Sequence, residues 1–281
     1  MKYDLAIVHR VCPALAKTAY KYTDKFAMVR DTTASLADAL RGIKTKLVVI
    51  LDGCDEEYER LFDDAFAGGK VDGVDYERVA TLKIGNHATY RKQLEILADF
   101  TAQADNLYLS EDDYIYERDA FRKMMAFLQV PRVDFVSPLD HPDFYMREAA
   151  GYKTKSCEVD GQGWKTTGST CCTFMFKGKD FQRVAKPLSW YADGGSDFEM
   201  WTLITKDAVF SPWLMIGGVF KYLFGKAENR WMFAIPAICW AKFKWRLLVS
   251  PRFTLWSPVP TLAVHLCVPS LPPGYEGLLS K

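Results

Sequence analysis

Three acids stand side by side in "LYLSEDDYIY" (Leu107–Tyr116), where Glu111, Asp112 and Asp113 follow an apolar run and lead directly into an aromatic one. Like charges this close repel, and taking them out of water adds to the cost. Two arrangements relieve it. Ser110 could cap a helix whose first turn carries the acids, where the helix dipole favours negative charge. Alternatively, the acids hold a divalent cation. Hard oxygen ligands suit Mg²⁺ or Mn²⁺, which takes few protein ligands and bridges to substrate phosphates. The second arrangement gives a reason for a buried strand to end in three acids, and it makes phosphate-bearing substrates the chemistry to look for.

The elements around the triplet alternate. "YDLAIVH" (Tyr3–His9) and "KLVVILD" (Lys46–Asp52) are short apolar, β-branched runs ending in polar residues, as in strands of a parallel sheet buried on both faces. Between them "SLADALRGI" (Ser35–Ile43) has helical spacing, with Ser35 suited to the N-cap. "DEEYERLFDDAF" starts acidic and sets Tyr58, Leu61, Phe62 and Phe66 on one helical face. A glycine- and aspartate-rich turn, a third strand "ERVATLKI", an amphipathic helix "NHATYRKQLEILADFTAQA" and the strand "NLYLS" follow. Such alternation predicts an α/β fold with right-handed crossovers, whose ligands bind beyond the carboxyl ends of the strands. Asp52 and the triplet both fall at such ends, so one crevice is expected to hold them. After Gly151 the alternation stops. "GSTCCTFMFKG" reads as one strand and "GGSDFEMWTLIT" as a glycine turn entering a helix.

Composition sets limits. The chain has 281 residues, 49% hydrophobic and 25% charged, with ample material for a core. A formal charge of +1 gives no global pull towards nucleic acid. Seven cysteines without Cys-x-x-Cys spacing argue against a structural zinc or redox motif and fit a reducing cytosol. The apolar part of the N-terminus is too short for a signal peptide, and no apolar run reaches the ~20 residues of a membrane span. No glycine-rich phosphate loop or dinucleotide fingerprint is present, which removes kinases and oxidoreductases.

The alternating first half, the acid ending the second strand and the Asp-x-Asp-like triplet together resemble the GT-A glycosyltransferases. Among these the inverting family 2 enzymes, which use nucleotide-sugar donors, are the most similar. The likeness covers residues 3–116 by architecture and extends more loosely to His265. It implies a Rossmann-like, mixed and mostly parallel sheet flanked by helices, with a C-terminal helical and aromatic extension. It also implies that Asp113 ligates Mn²⁺ or Mg²⁺, while Glu111, standing where the family has Asp, and Asp112 face the donor. "VILDGCD" matches the stretch that contacts the base, through Asp52 and also Asp55, unless these are turn acids. "GNHATYRKQ" is similar to the stretch near the donor phosphates, with Asn86 and Arg91, although Arg91 also suits an exposed helix face. His9 and Arg10 would bracket the nucleoside. "GGSDFEMW" resembles the turn that carries the family's general base, which assigns Asp197 that role with Glu199 second; an N-cap role suits Asp197 equally. His265 would join the metal as a neutral imidazole, or else pack in the core.

The expected organisation is a catalytic domain over residues 1–215, divided into a nucleotide-binding half (about 1–116) and an acceptor half (about 117–215). A basic, tryptophan-rich extension over 216–281 closes the site. From Lys221 to Arg252 seven Lys/Arg face one acid, Glu228. Mixed with Trp231, Trp240 and Trp245, they suggest peripheral contact with the anionic inner face of a membrane, or a packed core with solvated cations. Nothing accompanies them as a nucleic-acid recognition motif. The expected partners are a nucleotide-sugar donor and a glycan or lipid-linked saccharide acceptor, in the cytoplasm. A nucleotide-sugar or polyanion binding protein that lacks catalysis on the same fold is the second reading, and a nucleotidyltransferase the third.

Overall fold

The computed structural model describes residues 2–224 and 230–279. Strand β1 (Tyr3–Val11) leads through α1 (Lys25–Leu40) to β2 (Thr45–Asp52), then α2 (Glu56–Phe66), β3 (Val74–Thr81), α3 (Asn86–Asp99) and β4 (Ala104–Glu111). After β5 (Tyr114–Tyr116) come α4 (Ala120–Leu128), β6 (Phe135–Val136), α5 (Pro142–Ala149), β7 (Ser156–Val159), β8 (Gln162–Thr167) and β9 (Phe174–Lys177). Helices α6 (Phe181–Ala192), α7 (Asp197–Thr205), α8 (Pro212–Phe224) and α9 (Ile235–Val249) precede β10 (Leu255–Val259), β11 (Ala263–His265) and α10 (Glu276–Leu279).

Nine strands form one mixed sheet in the order β3-β2-β1-β4-β9-β6-β10-β8-β7, and seven of the nine point the same way, with β9 and β8 reversed. This is the expected α/β fold, a large and mostly parallel sheet flanked by helices. Alternate residues of the central strands feed opposite layers. Leu5, Ile7, Leu47 and Val49 pack with Leu36, Phe62 and Phe121 on one face. Ala6, Val8, Val48 and Ile50 pack with Tyr90, Leu97 and Trp201 on the other. Each such Leu, Ile or Val side chain contributes roughly 1.5–3 kcal/mol on burial, so the site is carried on the best-packed part of the molecule. Strand β10 lies inside the main sheet between β6 and β8, while β11 pairs antiparallel with β5.

Several local expectations shift. Helix α1 starts ten residues earlier than its apolar spacing suggested. Asp24 caps it, accepting from Phe26 N and Ala27 N, and Ser35 sits mid-helix, receiving Tyr116 N. The third strand ends at Thr81, which leaves Leu82, Lys83 and Ile84 in an exposed loop. Only Phe174–Lys177 of the 168–178 run is strand. A hairpin joins β7 to β8 through Asp160 and Gly161, both at positive φ. That two-residue Asp-Gly turn is a standard hairpin signal.

Candidate active site

The acids of the triplet do not open a helix. Glu111 is the last residue of β4, Asp112 and Asp113 make the turn, and β5 begins at Tyr114. The carboxyl ends of β1, β2 and β4 thus converge on a cavity of about 740 Å³ lined by Arg10, Lys25, Asp52, Lys83, Asn86 and the three acids, among others.

Each acid has its own protein cation. Glu111 Oε1 accepts from Arg10 Nη2 at 2.5 Å, and its Oε2 accepts from Thr173 at 3.1 Å. Asp112 Oδ1 accepts from Lys25 Nζ at 2.7 Å, and Oδ2 accepts from Cys12 N at 2.9 Å. Asp113 Oδ2 lies 3.0 Å from His265 Nε2. The repulsion that the sequence poses is therefore met by three separate pairs. Among the described residues no group of three or more His, Cys, Asp or Glu converges on a point where a metal could sit.

The Asp113–His265 pair is built by register. β11 pairs with β5 so that His265 faces Tyr114, and Leu266 N donates to Asp113 O at 2.8 Å. Tyr114 stacks on His265 with centroids 4.7 Å apart, and Cys171 Sγ lies 3.8 Å from its Nδ1. Burial would raise the Asp113 pKa, but His265 pulls it down to about 2. Burial would likewise lower His265, yet Asp113 holds it well above its ordinary value. A cation held by this pair would have to displace that imidazolium proton, so its affinity would rise with pH. One atom here is open to a divalent ion. Asp113 Oδ1 is buried with no hydrogen-bond partner, and Mg²⁺ or Mn²⁺ needs only one or two carboxylates beside substrate phosphates and water.

Asp52 is occupied locally. Its carboxylate accepts from Thr81 Oγ1, Ile84 N and Gly85 N at 2.8, 2.7 and 2.9 Å, and so fixes the 81–85 loop at the cavity rim. Gly85, at φ +88, turns the chain into α3 so that Asn86 enters the cavity. Asn86 Oδ1 and its backbone O accept from Arg10 Nη1 at 2.6 and 2.8 Å. Gly53, at φ +70, lies under Lys83, and a methyl group there would collide with the lysine stem.

Other expected residues fall elsewhere. His9 lies beneath the cavity with Nδ1 2.9 Å from Ser110 Oγ; burial, then the charge of Lys25, lowers it to about 3, so it is neutral. Arg91 is not brought to the cavity. It is half exposed and clamps the end of α6 through Ala192 O and Asp193. Asp55 caps α2 by accepting from Glu57 N. Lys25 and Thr173 escaped sequence reasoning because their partners lie 87 and 62 residues away, and Lys83 because it falls in the loop that the sequence reads as strand.

Asp197 is the first residue of α7. The cap is Ser196, which forms a capping box with Glu199. Glu199 also accepts from Trp190 Nε1 and Lys242 Nζ, which makes it a structural acid. Asp197 accepts from Phe198 N at 2.8 Å, and burial followed by the charge of Glu111 raises it to about 6 against the backbone hydrogen bonds it receives. Replacing Glu199 with Ala is expected to lower stability by about 0.5–2 kcal/mol, the worth of a cap, with kcat near wild type. Thermal melts beside a turnover assay check this.

No protein-family model matches the chain, and no curated protein matches it. Among solved structures, it is similar to a "putative nucleotide-diphospho-sugar transferase" from Desulfovibrio desulfuricans G20, with 16% identity and a TM-score of 0.35. The match covers 49% of this chain and 58% of the length of that one.

Proposed function

We propose that this chain is a metal-dependent glycosyltransferase of the GT-A type, resembling the inverting family 2 enzymes, which moves a sugar from a nucleotide-sugar donor to a glycan or lipid-linked saccharide with inversion. The observation that carries the reading is a single cavity at the carboxyl ends of parallel strands, holding acids and cations together; the buried Asp197, within reach of the charge of Glu111, supports it. Arg10 and Asn86 position the donor. Lys25 and Lys83 face its diphosphate, and Asp52 holds the loop that bounds the nucleoside. Asp113 and His265 hold Mn²⁺ or Mg²⁺, which supplies Lewis-acid stabilisation of the leaving diphosphate when bound. Asp197 takes the acceptor hydroxyl proton as that oxygen bonds to the anomeric carbon, and the bond to the diphosphate breaks on the opposite face. The seven free cysteines fit a cytoplasmic setting. Among the described residues no helix is long and apolar enough to cross a membrane.

A thermal-shift screen of nucleoside diphosphates with and without Mn²⁺ tests the donor site. Saturation at a hundredfold excess over Kd stabilises by about 2.7 kcal/mol, and the gain is expected to need the metal. If no nucleotide raises Tm in a metal-dependent way, the assignment fails.

A further inference from the structure

Helix α8, "PWLMIGGVFKYLF", has Lys221 as its only charge among thirteen residues. A helix apolar on every side is ordinarily buried. Gly218 alone of α8 is buried, packed so tightly that a methyl group would strike the carbonyl of Phe233. The opposite stripe is open, with Trp213, Ile216, Phe220 and Phe224 85, 54, 60 and 74% exposed. Helix α9 repeats the spacing with Ile238, Trp245 and Leu248, and Trp245 is 72% exposed. Contiguous exposed apolar surface of this kind marks an interaction site.

Charge selects the occupant. Residues 208–252 carry seven Lys/Arg and one acid, a formal +6. Residues 225–229, with Lys226 and Glu228, lie outside the described residues, but Lys221 and Lys244 are exposed on the two helices. A second copy would set +6 against +6, whereas anionic lipid headgroups complement it. At 1.5 Å per residue, helices of thirteen and fifteen residues reach about 20 and 22 Å, short of the roughly 30 Å hydrocarbon core. We propose that α8 and α9 lie flat on a membrane surface bearing anionic headgroups, with their aromatic stripes in the interface. Helix α7 packs on α9 through Lys242–Glu199 at 2.8 Å, and on the 230–234 turn that leads into α9 through Phe198 edge-on to Trp231 at 4.9 Å. Docking therefore holds Asp197 close to the membrane, although the docking itself stands without the transfer reaction.

Sedimentation with vesicles of phosphatidylcholine, with and without phosphatidylglycerol, tests this. Binding is expected only with the anionic lipid and weakens in salt. Lys221→Gln and Lys244→Gln should each lower the partition coefficient about fivefold. The triple substitution Trp213→Ser, Phe220→Ser and Phe224→Ser should lower it at least about tenfold with Tm unchanged, since all three side chains are exposed. Asp197→Asn should bind vesicles as wild type does, which separates failure of docking from failure of catalysis. Absence of binding, or equal binding to neutral and anionic vesicles, overturns the proposal. So does a concentration-dependent dimer that the triple substitution dissolves, which would give this face to a second copy.

Discussion

Asp197→Asn is expected to lower kcat by about 10²–10⁴-fold, the usual worth of a general base, and to leave nucleotide affinity unchanged. The argument rests on where the side chain sits. The N-cap role that competes for an aspartate here belongs to Ser196, and Glu199 is tied up by Ser196 N, Trp190 and Lys242. Asp197 is left with the Phe198 N–H and a pKa raised to about 6 by burial and by Glu111. A base must be unprotonated, so kcat/KM should rise with pH through about 6 and level off above it. The stability effect has the opposite sense. A carboxyl whose folded pKa is raised binds its proton more tightly in the folded state, so the wild type gains stability as pH falls from about 6 towards the unfolded value near 4. Asn carries no charge to desolvate, so the variant should melt higher than wild type at neutral pH and converge with it in acid. Turnover at wild-type rate with the pH step retained would remove Asp197 as base. Unchanged donor affinity with no wild-type turnover on any acceptor would instead favour a binding protein on this fold.

The parts of the fold legible in the sequence were those specified by local pattern. The apolar runs of β1, β2 and β4 declared themselves because both faces of each strand are buried. The acids at the ends of β2 and β4 could be placed in one crevice because parallel strands bring their carboxyl ends together. What stayed hidden was pairing across the chain. The partners of Glu111, Asp112 and Asp113 lie 101, 87 and 152 residues away, and no periodicity points from an acid to a cation at that distance. Lys25 in particular lies ahead of the helix that the sequence outlines, and only the fold shows it buried in the first turn of α1. Arg91 is the converse case. It lies five residues beyond Asn86 on α3, close in sequence but about 140° round the helix axis, and so it faces α6 instead of the cavity. The β7–β8 hairpin carried a readable Asp-Gly turn, yet its flanking strands lack the clean alternation that would have marked them.

The second large effect is expected at Lys25. Its side chain is 7% exposed, and that of its partner Asp112 is 10% exposed. Exposed ion pairs contribute little, but removing one member of a buried pair leaves an uncompensated charge and costs about 3–5 kcal/mol. Lys25→Met should therefore lower Tm by roughly 6–20 °C, with Asp112 now facing Asp113 across one peptide. Asp112→Asn in the same chain should restore most of the loss, because a neutral pair of similar shape has no charge to strand. Burial opposes the lysine charge, but the attraction and hydrogen bond of Asp112, joined by the charge of Asp113, together outweigh it and hold the pKa above the ordinary value. A raised lysine pKa contributes stability that is present below the unfolded value and lost only as pH climbs through the folded one. The gap between wild type and Lys25→Met should then narrow in strong alkali, as the lysine loses its charge, and also in acid, because burial already raises the Asp112 pKa and its protonation removes the stranded charge. A loss below about 1 kcal/mol would mean that water screens this pair as it does a surface one. The crowding of the three acids would then have to be relieved by something other than the chain's own cations.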